Sequence, residues 1–287
     1  MEFTVPEQYS GISLKNFLRR ECSVSARLLA KLRRTPDGIS VNGKFAITTQ
    51  LLRGGDKVTL RLPPDDTDII PTAVMPDIVY EDDCLFVVNK PPYMPVHPVH
   101  EHQSDTLANA VAYYSRSRGE QYTFRAVNRL DRDTSGLVII AKNRYAAAFL
   151  PDRVSKVYEA LCEGILTGSG TIDLPIRIKE GHTIQREAGS GGVPAVTHYT
   201  ALCSSYGHTL LRITLETGRT HQIRTHLSHI GHPLAGDDMY GGSTRYFDRQ
   251  CLHCAEATLV HPVSRETLRL RCEPEPWLSM LSQYHQE

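Results

Sequence analysis

Two short stretches carry most of the chemistry this sequence can offer. The first is Arg125-Ala-Val-Asn128-Arg129-Leu130-Asp131-Arg132-Asp133-Thr134-Ser135-Gly136, which runs straight into the apolar residues 137–141. Charges beside a buried strand are costly unless they are paired. The stretch therefore reads as a loop that holds a carboxylate at the edge of a cleft. A plainer reading is also open: Asp131 and Asp133 satisfy loop amides, with Arg129 and Arg132 as ion partners. The second stretch is Leu215-Glu-Thr-Gly218-Arg219-Thr-His221-Gln222-Ile-Arg224-Thr-His226-Leu227. It sets two arginines and two histidines around an expected helix start, a position that suits an anion. An arginine from this stretch can hold the Asp131 carboxylate ionised. Metal chemistry fits less well. His221 and His226 are five apart rather than four, which is poor spacing for one ion on a helix face. There is no HExxH, and Cys251-Leu-His-Cys254 lacks the second cysteine pair a zinc ribbon needs.

These residues need elements to position them. The apolar runs 85–88 and 137–141 read as buried strands. Residues 156–164 and 208–215 read as further strands, and residues 78–92 as strand, turn, strand and a proline stop. Helices are expected over 106–114, capped by Asp105, and over 144–150 and 222–229. Strands and helices mix without regular alternation, which predicts an α+β domain with a mixed, largely antiparallel sheet.

The first part of the chain has another character. Residues 1–62 carry 11 Lys+Arg against 5 Asp+Glu, a balance of +6; the formal net charge of the 287-residue chain is zero, so the rest carries −6. Leu14, Phe17 and Leu18 follow helical spacing, and so do Val24, Leu28, Leu29 and Leu32, with Ser23 or Ser25 as cap. The opposite face of the second helix carries Arg27, Lys31, Arg33 and Arg34. A charged helix face is usually only solvated, but this one is nearly all of one sign, which suits a polyanion. Short strands with Asn-Gly and Gly-Gly turns follow over 39–44 and 57–62. Pro63-Pro64-Asp65-Asp66 opens an expected linker over 64–75. No apolar stretch approaches the roughly 20 residues that span a membrane. The start resembles no signal peptide, and seven irregularly spaced cysteines suit reduced thiols, so a cytoplasmic protein is expected.

Two resemblances sharpen this reading. Residues 12–62 are similar to the RNA-binding domain named after small-subunit ribosomal protein S-four. Arg129-Leu130-Asp131-Arg132-Asp133-Thr134-Ser135-Gly136 resembles the catalytic motif of RluA-type RNA pseudouridine synthases. Val88-Asn-Lys90-Pro-Pro with Val96-His97-Pro98, Ser155 to Ala160, Thr217 to His226 with Gly231 to Asp237, and Leu252 to Val263 fit that family in order. The resemblance implies a small N-terminal α/β RNA-binding domain over 1–63, a linker over 64–75 and a catalytic domain of the pseudouridine synthase fold over 76–287.

It also implies the chemistry, in which uridine in ribosomal or transfer RNA becomes pseudouridine with no cofactor and no metal. Asp131 would be the catalytic carboxylate, as nucleophile or as base, and Arg224 its ion partner, with Arg219 second in line. Tyr158 would lie against the uracil, and Arg129 would fill the gap left by the flipped base. RNA would further meet Arg219, His221 and the Arg27/Lys31/Arg33/Arg34 face. Many family members have His where this chain has Asn128, and an adjusted contact near the flipped base is expected there. Nothing demands an oligomer. Two competing readings are a non-catalytic RNA-binding protein and a hydrolase using Asp131 with Asp133.

Overall fold

A computed structural model describes residues 1–63, 68–99, 101–121 and 123–277. The basic N-terminal part builds its own small core. In chain order it holds β1 (Glu2–Thr4), α1 (Leu14–Asn16), α2 (Ala26–Leu32), β2 (Ile39–Val41), β3 (Lys44–Phe45) and β4 (Lys57–Leu60). The four strands form an antiparallel sheet in the order β1-β4-β2-β3. Ser25 caps α2 by accepting the Leu28 amide at 3.1 Å. Leu28, Leu29 and Leu32 are buried, while Arg27, Lys31, Arg33 and Arg34 are exposed and make no side-chain hydrogen bond or ion pair among the described residues. The first helix leaves α geometry after Asn16, and Phe17–Glu21 form a π turn.

The larger part adds β5 (Asp77–Glu81), β6 (Leu85–Lys90), α3 (Leu107–Ser117), β7 (Ser135–Ala141), α4 (Arg144–Phe149), β8 (Val154–Glu163), β9 (Ser169–Asp173), β10 (Ile176–Ile178), β11 (Arg186–Ala188), β12 (Val196–Ser205), β13 (His208–Leu215), α5 (Gln222–His229), β14 (Leu252–Val260) and β15 (Thr267–Arg271). Nine strands make one mixed sheet in the order β5-β6-β7-β14-β8-β13-β12-β9, with β15 on β14. Only the β7–β14 pair is parallel among these, so the expected α+β class with a largely antiparallel sheet is found. Every residue of β7 is buried, as its apolar run requires. β10 and β11 form a separate hairpin beside α5.

Two details differ from the sequence expectation. Helix α3 is capped by Thr106, whose amide donates to the Asn109 side chain at 3.0 Å, while Asp105 instead takes His102 at 2.6 Å. Of the segment 64–75, residues 64–67 lie outside the described residues, and its later part runs along α3: Asn109 Nδ2 donates to Ile70 O at 2.7 Å, and the Thr72 amide to Asn109 O at 3.2 Å.

The two cores meet at Tyr145 of α4. Its ring is buried against Phe3 with centroids 5.7 Å apart, edge to face. Its hydroxyl donates to Cys22 O at 2.5 Å, and Pro262 O lies 3.1 Å away. Arg265 Nη2 donates to Glu21 O and to the Tyr145 hydroxyl, both at 3.1 Å. The basic part is thus fastened to the body through buried polar contacts as well as through the chain.

Gly136 sits where β7 first meets β14. Its φ is +110°, and a Cβ there would lie 2.3 Å from Cys254 O. Strained backbone and overpacking each cost about 1–3 kcal/mol. Gly136→Ala is therefore expected to lose about 2–5 kcal/mol of stability in urea unfolding. A variant within 1 kcal/mol of wild type, on the same order-of-magnitude scale, would show that the strands separate freely here.

Candidate active site

Asp131 lies in the loop that feeds β7, beside the central seam of the sheet. The turn over Arg132 and Asp133 closes with the Thr134 amide donating to Asp131 O at 3.1 Å. Two neighbouring segments grip that turn by its backbone. Lys90, fully buried at the end of β6, donates to Pro91 O, Met94 O and Arg132 O at 2.7, 2.8 and 2.9 Å. Burial pulls its pKa down to about 7, against the nearby Asp133 charge. Three carbonyl acceptors match the three N–H bonds of the protonated amine. From the other side Arg249 Nη1 donates to Asp133 O at 3.2 Å, and Nη2 pairs with Glu275 at 2.8 Å.

The two acids of the loop part company. Asp133 makes a two-toothed pair with its neighbour Arg132, at 2.7 and 3.0 Å. The plain ion-pair reading therefore holds for Asp133, which does not line the cleft. Asp131 does line it, and its Oδ2 meets Arg224 Nη1 at 3.2 Å. Asp131 Oδ1 has no hydrogen bond or ion pair among the described residues. A pair of carboxylates acting across one bond does not form here.

Arg224 is itself anchored from behind. Its Nε and Nη2 donate to Asp237 Oδ2 and Oδ1 at 2.7 and 2.8 Å, a bidentate pair. Asp237 is 1% exposed and Arg224 6%. The guanidinium carbon also lies 4.9 Å from the centre of the Tyr240 ring. Burial opposes the charge on Arg224, but Asp237 and then Asp131 outweigh it and raise its pKa above the ordinary arginine value.

Helix α5 begins at His221, whose left-handed φ of 56° is unusual for a residue with a side chain. Gln222 holds this turn. Its Oε1 accepts from the Thr217 hydroxyl at 2.8 Å and the Arg219 amide at 3.0 Å, and its Nε2 donates to Val196 O at 2.9 Å and the Thr197 hydroxyl at 3.0 Å. His221 Nδ1 lies 2.9 Å from the Tyr240 hydroxyl, and its Nε2 lies 3.9 Å from Asp131 Oδ2. Burial lowers the His221 pKa below the usual histidine value, and Arg224 adds to this while Asp131 opposes it.

Tyr158 on β8 pairs with Cys254 of β14 and Ile213 of β13, so it forms part of the cleft floor at mid-sheet. Burial, then Cys254, then Asp131 push its pKa well above the usual tyrosine value, so its hydroxyl stays protonated. Arg129 is exposed at the cleft with no hydrogen bond or ion pair among the described residues. Arg219 lines the same cleft but donates to Pro194 O at 3.0 Å and makes no hydrogen bond or ion pair with Asp131. The cleft thus gathers Asp131, Tyr158, Arg224, Arg129, Arg219 and His221. Arg27, Lys31, Arg33 and Arg34 stand apart from it; α2 ends at Leu32, so Arg27 and Lys31 lie on the helix, while Arg33 and Arg34, expected on the same helix face, fall just past its end.

Asn128 does not reach toward an incoming base. Its Nδ2 donates to Leu137 O at 3.0 Å and its Oδ1 accepts the Ile139 amide at 2.9 Å. An amide matches both backbone groups of a strand at once, so this side chain ties the loop to β7 and is lost to the cleft. His226 is likewise structural, buried between the Thr197 hydroxyl and Leu174 O at 2.9 Å each. The other suggestive groups disperse. His102 pairs with Asp105, His97 packs edge-on against Phe124, and His100 lies outside the described residues. Burial raises the pKa of Cys251 and Cys254 to about 12. Among the described residues the one cluster of metal-capable donors is Asp82, Cys84 and His261. It closes a turn: Asp82 Oδ1 accepts the Cys84 and Leu85 amides at 2.7 Å each, and Oδ2 accepts the Tyr80 hydroxyl at 2.7 Å and lies 2.9 Å from His261 Nε2.

Three supporting residues were not singled out from sequence: Lys90, Asp237 and Tyr240. Lys90 and Asp237 fall inside stretches that resemble family motifs, which was the only available signal.

The chain is also similar to known proteins. Residues 84–229 match the family model described as RNA pseudouridylate synthase. An uncharacterized RNA pseudouridine synthase of Bacillus subtilis, YjbO, is 35% identical over 257 residues, covering 87% of this chain and 91% of its own length. Ribosomal large subunit pseudouridine synthase D of Pseudomonas aeruginosa is 39% identical over 236 residues, 74% of this chain and 72% of its own. Among solved structures, human RNA pseudouridylate synthase domain containing 1 superposes with a TM-score of 0.56 at 31% identity, covering 72% of this chain and 86% of that one.

Proposed function

This chain belongs to the RNA pseudouridylate synthase family and isomerises uridine to pseudouridine in RNA, and from that premise we propose that Asp131 is its catalytic carboxylate. The observation that carries this role is the split use of its two oxygens. Oδ2 is tied to Arg224, and Oδ1 is left free at a cleft floored by Tyr158. In the isomerisation the C1′–N1 bond breaks, a C1′–C5 bond forms, C5 gives up its proton and N1 gains one. No atom is gained or lost overall, and no external electron donor or acceptor takes part. Addition of the carboxylate to the nucleoside and proton abstraction to a glycal both need one ionised, unencumbered oxygen. Arg224, fixed by Asp237, keeps that charge in place. Tyr158 offers a face to the uracil and a protonated hydroxyl for proton transfer. Arg129 takes the space of the extruded base, whose removal from the stack costs a few kcal/mol.

The substrate proposed is ribosomal RNA, with transfer RNA as the alternative outcome, and the protein is read as cytoplasmic and monomeric. No helix among the described residues is long and apolar enough to cross a membrane. Residues 1–63 are proposed to be an S-four-like RNA-binding unit, gripping phosphates through Arg27, Lys31, Arg33 and Arg34. Pseudouridine mapping of total RNA from cells lacking this protein, treated with the purified enzyme, tests the substrate directly. New pseudouridine confined to transfer RNA, or absent from ribosomal RNA, would remove the ribosomal assignment. Changing Arg27, Lys31, Arg33 and Arg34 together to glutamine is expected to flatten the dependence of log Kobs on log salt by about 0.7–0.9 for each phosphate no longer neutralised. An unchanged slope would take RNA off this face.

A further inference from the structure

Behind Arg224 and His221 lies a short turn over Asp238–Tyr240 that touches both. Asp237 leads into it and anchors the guanidinium. Tyr240 ends it and meets the imidazole edge-on, with ring centres 5.7 Å apart. The Ser228 hydroxyl donates to Tyr240 O at 2.7 Å and fixes the turn against α5. The Tyr240 hydroxyl is shared by two groups. It accepts the Arg186 amide from the β10–β11 hairpin at 2.8 Å, and it lies 2.9 Å from His221 Nδ1. The amide can only donate. The Thr225 hydroxyl also lies beside Tyr240 and acts on it as a donor does, lowering its pKa against the effect of burial. The hydroxyl hydrogen therefore needs an acceptor, and His221 Nδ1 at 2.9 Å is placed to be it. An imidazole accepting at Nδ1 carries its proton on Nε2. Nε2 is the nitrogen that faces Asp131 Oδ2.

We propose that Tyr240 is a positioning residue that locks neutral His221 in its Nε2–H form, so that a hydrogen-bond donor is aimed into the cleft beside Asp131. The proposal rests on the reading of Asp131 as the catalytic carboxylate. At 3.9 Å the Nε2–H group is too far from Oδ2 for a direct hydrogen bond, so it is available to the entering uridine. Its ligand is an uncharged oxygen of that nucleoside, a base carbonyl or a ribose hydroxyl. The charged and titratable groups facing His221 are Asp131, Arg224, Asp237, Arg186 and Tyr240. A neutral donor suits this place because Arg224 already supplies the positive charge. The proton stays on nitrogen throughout, and Tyr240 acts through His221 without touching substrate.

The test uses the full chain labelled with 15N-histidine, with His221 assigned by its loss in His221→Gln. Long-range 1H–15N correlation reads which ring nitrogen is protonated. Wild type is expected to show a single Nε2–H form at neutral pH, and Tyr240→Phe a mixture with Nδ1–H. A predominantly Nδ1–H or doubly protonated ring in wild type would overturn the proposal, whatever the variants do. In RNA turnover, Tyr240→Phe is expected to lower kcat by about 10–100-fold with KM little changed, by analogy with the loss when the hydrogen-bond partner that orients a metal-ligating histidine is removed. The double variant with His221→Gln is expected to be no slower than His221→Gln alone. Additive losses would make Tyr240 merely structural and end the proposal. RNAs carrying 2′-deoxyuridine or 4-thiouridine at the target then separate ribose from base: loss of the His221→Gln effect marks the oxygen concerned. If wild type made no pseudouridine at all while the ring still read Nε2–H, the catalytic reading would fail and the tautomer assignment would stand.

Discussion

Asp131→Asn is expected to leave the protein folded and RNA-binding but to lower pseudouridine formation by at least about 10⁴-fold, the scale of loss when the reacting group of an enzyme is removed. Release of tritium from RNA labelled at uracil C5 measures this, because C5 loses its hydrogen in the isomerisation. The exchange is nearly isosteric, and Arg224 keeps its bidentate Asp237 partner. The melting temperature should therefore stay within a few degrees of wild type, corresponding to about 1 kcal/mol or less. The amide cannot act as an ionised nucleophile or base, so both routes fail together. Residual turnover within tenfold of wild type would move the chemistry to another residue and leave Asp131 as a loop brace.

Arg224→Met combines two losses. It removes the cation from Asp131, and it leaves Asp237 as a buried carboxylate without its partner. Breaking a buried pair from one side costs about 3–5 kcal/mol. Urea unfolding should show that loss, and turnover should fall with it. Adding Asp237→Asn removes the stranded charge and should restore much of the stability, while activity stays low because Oδ2 of Asp131 is still unheld. Stability that does not recover in the double variant would place the damage in poorer packing over the Tyr240 ring rather than in the charge.

Features decided by neighbours in sequence were legible before the structure. Strand β7 follows its apolar run, and α5 spans the residues that periodicity gave it. The Arg224–Asp131 pairing was legible only in outline, because charge alone left Arg129 and Arg132 as nearer partners and the choice of Arg224 came with the family resemblance. Features decided by distant contacts were not. A lysine after an apolar run looks like a solvent anchor, yet Lys90 is enclosed by three carbonyls, one of them 42 residues away. Asn128 looked like a group for the base because its chemistry fits that role, and the backbone of β7 took both of its polar atoms instead. The β10–β11 hairpin is built of strands only three residues long, too short for their alternation to stand out, and is not among the expected elements. The α3 cap was misplaced by one residue because Thr106 and Asn109 satisfy each other reciprocally, which a lone Asp105 cannot match.

The seam at Tyr145 has a consequence for which RNAs are accepted. A domain on a loose tether samples many separations, so any RNA that sticks to it raises the local concentration of all its uridines at the pocket. Here Tyr145 and Arg265 join the small core to the body through Cys22 O and Glu21 O, so the offset between α2 and the cleft is set. On the reading that α2 grips phosphates, the molecule is a calliper with a fixed gap. An RNA is modified when its three-dimensional shape places a backbone on one jaw and a uridine in the other. Loosening the joint would widen the range of sites without altering the chemistry at any of them.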